Sequence, residues 1–295
     1  MNRSIPFFSY LACLILPLAG AVLCAAETLD DQPVEKDKGA AGKTDASLPT
    51  LWIIGDSTVK VGTPGQRGWG DELAPFFDTS KINLVNRAIG GRSSRTFLTE
   101  GRWDEILKEL RKGDFVIMQF GHNDASPINE KPPVNASTRA RGVIRNNSDE
   151  TVDVINILTG KPETVHSYGW YLRRFTTTAK ERGATAIVCS PIPRKSWNEE
   201  GNINRATASW TLWARQAAEQ TGADFIDLNE IIARSYERIG PEKVEPLFAD
   251  QGTHTSPEGA AFNARAVVSG LRSLDRNPLA FALSAEGKAV PAFAP

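Results

Sequence analysis

The sequence predicts a three-layer α/β/α sandwich on a parallel sheet of about five strands. Three observations lead there. Short apolar runs, long enough for buried strands and too short for helices, recur along the chain. Stretches with helical spacing of apolar residues alternate with them. The turns after the strands are rich in Gly, Asn, Asp and Ser, and no segment repeats. The 295 residues leave roughly 230–240 of globular material, enough for one domain with a full core. A formal net charge of −1 gives no general attraction to nucleic acid or to an anionic membrane.

The chain opens as a secretory signal over residues 1–26. Arg3 supplies positive charge, Phe7 to Leu23 is almost continuously apolar, and small residues surround Cys24-Ala25-Ala26. The run is short for a membrane span, and the bulky Leu23 before Cys24 argues against a lipid anchor. The expected address is therefore secreted or periplasmic, with no stable membrane contact after cleavage. Residues 27–47 mix Asp, Glu, Lys, Gly and Ala and read as a disordered linker. The folded domain is expected over 48–274, with 275–295 as a loose tail. Cys13 and Cys24 lie in or beside the signal, so Cys189 has no partner for an intramolecular disulfide.

Leu51-Trp52-Ile53-Ile54 is the first strand and ends in Gly55-Asp56-Ser57-Thr58. Ligands sit at the carboxyl ends of strands in such sheets, which makes Ser57 a candidate nucleophile, although a Ser after a strand is more often a turn former or a helix N-cap. Glu72 to Phe77 reads as a short helix and Ile82 to Asn86 as the second strand. In Arg87-Ala88-Ile89-Gly90-Gly91-Arg92-Ser93-Ser94, paired glycines allow a backbone N–H to be aimed at a ligand, with Ser93 or Ser94 as a helix N-cap. Trp103 to Leu110 is a helix, and Phe115 to Phe120 is the third strand, ending in Gly121-His122-Asn123-Asp124. Ala125 to Thr164 is irregular and is expected to cover the mouth of a site.

His166 to Glu181 is a helix and Thr185 to Cys189 the fourth strand, with Cys189 as a small buried hydrophobe. Ala206 to Gln220 is a helix whose Trp210 and Trp213 read as core rather than as a ligand platform. Asp224 to Asp227 is the fifth strand and Ile231 to Ile239 a helix. The polar loop from Phe248 opens the last helix, with Ser256 as N-cap and Pro257 in its first turn.

Ester hydrolysis by a serine enzyme needs a hydroxyl, an imidazole to take its proton, and donors for the oxyanion. Beyond the signal the His residues are His122, His166 and His254. His254 follows Asp250 by four positions, so a carboxylate is placed to orient it. The three His lack ligand-like spacing and no phosphate-binding Gly fingerprint occurs, so neither a metal nor a cofactor is expected.

Together these blocks resemble the SGNH (GDSL-type) hydrolases over roughly Leu48 to Leu274. The resemblance rests on Gly55-Asp56-Ser57-Thr58, Asn86-x-Ala88 with Gly90-Gly91-Arg92-Ser93, Gly121-His122-Asn123-Asp124, and the late Asp250 and His254. Within the family the rhamnogalacturonan acetylesterases are the most similar, through Asn86-Arg87-Ala88, Ala140-Arg141-Gly142, His166 to Leu172, and Ser190-Pro191-Ile192-Pro193-Arg194. The resemblance implies Ser57 as nucleophile, His254 as base, and Asp250 as its orienter. It also implies an oxyanion hole of the Ser57 and Gly91 N–H groups and the Asn123 side chain, with Gly90 as the alternative to Gly91. The family spacing is Asp-x-x-His, and here three residues intervene; Gly252 can absorb the extra one as a bulge.

The implied substrate is an acetylated polysaccharide, rhamnogalacturonan first and xylan or another glycan second. Arg92, Arg95, Arg139, Arg141, Arg194 and Lys195 are expected on loops where they could meet uronate carboxylates, and Trp197 where it could stack on a sugar. A non-catalytic carbohydrate-binding module on the same scaffold is the rival reading. A lipase for long acyl chains ranks lower, because no apolar helix offers a lid.

Overall fold

The computed structural model describes Met1 and residues 44–135 and 138–294. The signal, and the linker up to residue 43, lie outside the described residues. The described part of the domain starts a few positions before Leu48, at residue 44. Asp45 and Asn83 exchange hydrogen bonds through N to Oδ1 and Nδ2 to O, at 2.9 and 2.8 Å.

The elements follow in chain order as β1 (Thr50–Gly55), β2 (Asn83–Asn86), α1 (Ser94–Thr99), α2 (Arg102–Glu109), β3 (Phe115–Gln119), β4 (Thr151–Ile155), β5 (Pro162–His166), α3 (Tyr168–Glu181), β6 (Thr185–Cys189), α4 (Trp210–Thr221), β7 (Asp224–Ile226), α5 (Leu228–Ile239), α6 (Pro241–Val244), α7 (Pro257–Ser273) and α8 (Ala285–Ala289). The central sheet has the order β2-β1-β3-β6-β7, with every pairing parallel. The chain leaves β1 to one side for β2 and then fills the other side, so the topology switches between β1 and β3. In such sheets the crevice at the switch point, beyond the carboxyl ends of the strands, is where ligands bind.

Strand periodicity builds the two cores. Leu51 and Ile53 face one side with Ile117 and Ile187, under α5 and α7. Trp52 and Ile54 face the other with Val116, Met118 and Val188, under α2, α3 and α4. Phe97, Phe120, Phe175 and Trp103 pack there in edge and tilted pairs with centroids 5.1–6.2 Å apart. All four are essentially buried, and truncating such a ring to Ala costs about 3–5 kcal/mol.

Several elements depart from the sequence expectation. The Glu72–Phe77 stretch is not one α-helix but part of two short 3₁₀ turns, Trp69–Glu72 and Ala74–Phe76. Pro75 lies inside the second turn and supplies no N–H to continue an α-ladder. The irregular segment contains an antiparallel hairpin, β4–β5. The residues after Leu274 do not form a loose tail: Leu279, Ala282, Leu283 and Val290 are buried in the first core, and Leu283 bridges Phe77. Cys189 is free and buried, in its expected role.

Candidate active site

Ser57 sits in the turn after β1, and a polar network holds that turn. Asp56 Oδ1 accepts from the Thr58 backbone N–H at 2.9 Å and its hydroxyl at 2.7 Å. Gln119, fully buried at the end of β3, donates through Nε2 to the Thr58 hydroxyl at 2.5 Å and accepts from the Trp69 indole at 2.8 Å. The sequence reading missed Gln119. Its signal was a lone amide closing an otherwise apolar strand, since a buried amide needs partners. The other oxygen of Asp56 faces His122 Nδ1 at 3.5 Å, and neither atom has another partner among the described residues. Burial raises the Asp56 pKa, but His122 and the Thr58 donors outweigh it and the net shift is downward.

Ser57 Oγ lies 2.9 Å from His254 Nε2, and His254 Nδ1 lies 2.6 Å from Asp250 Oδ2. The wider Asp-to-His spacing therefore leaves the three groups joined. Asp250 Oδ1 accepts from the N–H groups of Gly252, Thr253 and His254 at 2.9, 2.7 and 3.0 Å. Partial burial pushes the Asp250 pKa up. The three backbone donors and the imidazole overcome that and hold the carboxyl well below the usual carboxylate range. At Gly252 a Cβ would stand 3.0 Å from the Lys195 carbonyl oxygen, with φ at +158°, so the tight loop needs glycine there. The loop is pinned from outside by Thr255, whose carbonyl accepts from Arg67 N at 2.9 Å and whose hydroxyl donates to Arg67 O at 2.7 Å.

The turn after β2 lies against Ser57. A Cβ on Gly90 would contact Ser57 Cβ at 3.6 Å, and Gly91 adopts φ +77°, a left-handed conformation suited to glycine. Among the described residues, no backbone carbonyl accepts from the Ser57 or Gly91 N–H. Asn123, largely buried, is oriented by one amide hydrogen donated to Arg92 O at 3.1 Å, which leaves the second free. Ser93 is the N-cap of α1 and forms a capping box with Thr96. Asp124 ties this cap to the turn after β3, accepting from Ser94 N and Gly121 N at 3.1 Å each and from the Ser94 hydroxyl. Burial pushes the Asp124 pKa up to about 7 against the pull of the Ser94 donors, with nearby Asp56 adding to the rise.

The loop cations divide. Arg92 pairs with Glu100 at 3.1 Å and donates to Gly90 O at 3.2 Å. Arg141 donates to Gly91 O and the Ser126 hydroxyl, both at 3.1 Å. Both guanidinium groups therefore brace the Gly90-Gly91 turn. Arg95 is not on an open loop: it is fully buried, forked onto Glu163 at 2.6 and 2.8 Å and bonded to the carbonyls of Ile128 and Gly142. Arg139 donates to Thr138 O and Lys195 pairs with Glu245. Trp197 is half-buried against the first core and bridges Ile203. Arg194 is exposed and donates to the Thr253 hydroxyl.

Comparison with known proteins follows the same blocks. A family model described as the GDSL-like lipase/acylhydrolase family matches residues 53–262. Rhamnogalacturonan acetylesterase of Emericella nidulans is 32% identical over 223 residues, which cover 76% of this chain and 84% of that one. The rhamnogalacturonan acetylesterase RhgT of Bacillus subtilis is 26% identical over 255 residues, covering 81% and 96%. The crystal structure of the Bacillus subtilis protein YxiM superposes with a TM-score of 0.60 at 26% identity, and the match spans 76% of this chain and 56% of that one. The chain belongs to the GDSL-like lipase/acylhydrolase family and is an esterase of the SGNH type.

Proposed function

We propose that this esterase is a secreted enzyme that removes acetyl groups from a plant cell-wall polysaccharide, rhamnogalacturonan first, through a Ser57–His254–Asp250 triad. The observation that carries the mechanism is the unbroken chain of short contacts from Ser57 Oγ to His254 to Asp250. Ionised Asp250 keeps the Nδ1 proton on His254, so Nε2 is free to accept. Ser57 Oγ attacks the acetyl carbonyl as its proton passes to Nε2, and the carbonyl oxygen becomes the oxyanion. The Ser57 and Gly91 N–H groups and the Asn123 amide are the donors to it; losing one such donor costs about 2.7–4 kcal/mol of transition-state stabilisation. His254 returns the proton to the sugar oxygen, the C–O bond breaks and the deacetylated sugar leaves. Water then repeats the sequence on the acetyl-Ser57 ester and releases acetate.

The relatives named above support the polysaccharide, and the apolar leader supports secretion. The assembled triad counts against the binding-module reading. Acetate release from 4-nitrophenyl acetate and from acetylated rhamnogalacturonan tests the proposal. Ser57→Ala should abolish turnover, and Asp250→Asn should lower kcat by about 10⁴-fold, the cost of leaving the imidazole in the wrong tautomer. A nearly normal Asp250→Asn enzyme would remove Asp250 from the mechanism. Faster release from acetylated xylan than from the pectic polymer would overturn the substrate.

A further inference from the structure

We infer that Arg92 and Arg141 are positioning residues of the oxyanion hole: together they pin the two peptide planes that meet at Gly91 and so keep its N–H available to the oxyanion. The inference rests on the esterase reading above and deepens it, since it gives two side chains outside the triad a role in turnover.

The need for such a clamp follows from the residue types. Gly90 and Gly91 carry no Cβ, so nothing within the turn itself chooses the direction of the peptide between them. Gly91 adopts φ +77°, one of several conformations open to glycine. A peptide flipped there would offer the oxyanion a carbonyl in place of an N–H. The turn is also close to the nucleophile, because a Cβ on Gly90 would contact Ser57 Cβ at 3.6 Å.

Side chains supply the missing restraint. Arg92 Nη1 donates to Gly90 O at 3.2 Å. That carbonyl belongs to the same amide as the Gly91 N–H. The guanidinium therefore fixes the plane of the oxyanion donor, and by polarising the amide it strengthens that donor. Arg141 Nη1 donates to Gly91 O at 3.1 Å, which fixes the next plane. With both planes held, φ and ψ of Gly91 are set. The third carbonyl of the run, Arg92 O, accepts from Asn123 at 3.1 Å, so the side-chain donor is aligned on the same turn.

Each guanidinium is anchored behind the turn. Arg92 Nε donates to Glu100 and Arg141 Nε to the Ser126 hydroxyl, both at 3.1 Å. The Arg141 backbone is set by its neighbour Gly142, whose N–H donates to Pro127 O at 3.0 Å and whose carbonyl accepts from buried Arg95 at 2.9 Å. A Cβ on Gly142 would stand 2.0 Å from Ser126 O, so this approach requires glycine. The segment between β3 and α3 thus reaches the oxyanion turn through Ala140-Arg141-Gly142.

The test compares Arg92→Gln and Arg141→Gln with wild type on 4-nitrophenyl acetate, which has no carboxylate for an arginine to bind. Arg92→Gln strands no carboxylate, because Glu100 keeps Arg102 at 2.6 Å. Each variant should lose about ten- to a hundredfold in kcat, less than the roughly 10²–10³-fold cost of deleting an oxyanion donor outright. KM should stay within about twofold, as for an interaction made in the transition state. The same fold-loss should appear on acetylated rhamnogalacturonan, and Arg92→Lys and Arg141→Lys should each recover part of it; the Lys variants carry the test if a Gln variant does not fold. In protein labelled with ¹⁵N-glycine, the Gly91 amide should give one sharp resonance that broadens or doubles in the variants. Losses confined to the charged polymer would make these arginines substrate ligands and overturn the inference, as would an unchanged Gly91 resonance. Wild-type protein inert on 4-nitrophenyl acetate would instead sink the esterase reading, and the Gly91 resonance would still decide whether the clamp holds.

Discussion

Asp250 shows how a small carboxylate tolerates an irregular spacing. One oxygen takes three backbone donors from the loop it starts, which closes the loop on itself, and the other is left facing His254. A longer loop is accommodated because Gly252 passes within reach of the Lys195 carbonyl without a Cβ. Asp124 is the opposite case, a fully buried carboxyl whose pKa rises from 3.8 to about 7. Between those two values the folded protein keeps a proton that the unfolded chain has lost, so stability falls as pH rises through this window and levels off above it. Asp124→Asn removes the titration. The stability of wild type relative to Asp124→Asn should therefore decline by a few kcal/mol from about pH 4 to about pH 7 in urea unfolding. Parallel pH profiles would show that burial of this carboxyl is compensated by its donors.

At the scale of elements, a buried ion pair helps to hold the segment between β3 and α3. The hairpin β4–β5 is mostly exposed, with Val152 and Ile155 open to solvent, and an isolated two-stranded hairpin is marginal in water. One link to the domain is Glu163 on β5, forked by Arg95 from α1, while the same guanidinium holds the carbonyls of Ile128 and Gly142; buried Val165 and the bond from His166 N to the Tyr171 hydroxyl are others. Burial raises the Glu163 pKa, and Arg95 and Asn156 more than reverse it. Arg95→Ala leaves Glu163 facing no cation and two carbonyls without their donor. Breaking such a pair costs about 3–5 kcal/mol, so the denaturant midpoint should fall markedly. A loss under about 1 kcal/mol would mean the segment holds its place without this contact. The pair also bears on why the hairpin was illegible in the sequence: the strands bury too little surface to show a period of two, and part of their support comes from a contact 68 positions away.

For the whole molecule, residues 279–290 close the first core. Leu279, Ala282, Leu283 and Val290 fill its end, and Ser284 N–H reaches back to Phe76 O at 3.0 Å. Ending the chain after Leu274 should expose Leu73, Phe76 and Phe77 and give an unstable or aggregating protein, read as a lowered thermal midpoint or loss of soluble yield. A truncated protein with an unchanged midpoint would show that the core closes without them. The sequence offered little warning, because short helices with few large apolar residues carry a weak periodic signal.

Much of the fold and the triad was written in local pattern. Strands such as Thr185–Cys189 and the cap at Ser256 follow from residue chemistry within a few positions, and their alternation with helices implies parallel order. The residue types of the site were equally local: a hydroxyl, an imidazole, a carboxylate and an amide, each in a turn after an apolar run. What only the tertiary structure decided was partnership. Arg92, Arg95, Arg141 and Arg194 read alike in the sequence, yet one is buried on Glu163, two brace the Gly90-Gly91 turn and one lies exposed against the Thr253 hydroxyl. The physical reason is that a cation's role depends on which carboxylates and carbonyls the fold brings within about 3 Å of it, and those partners come from loops that share an end of the sheet and no stretch of chain.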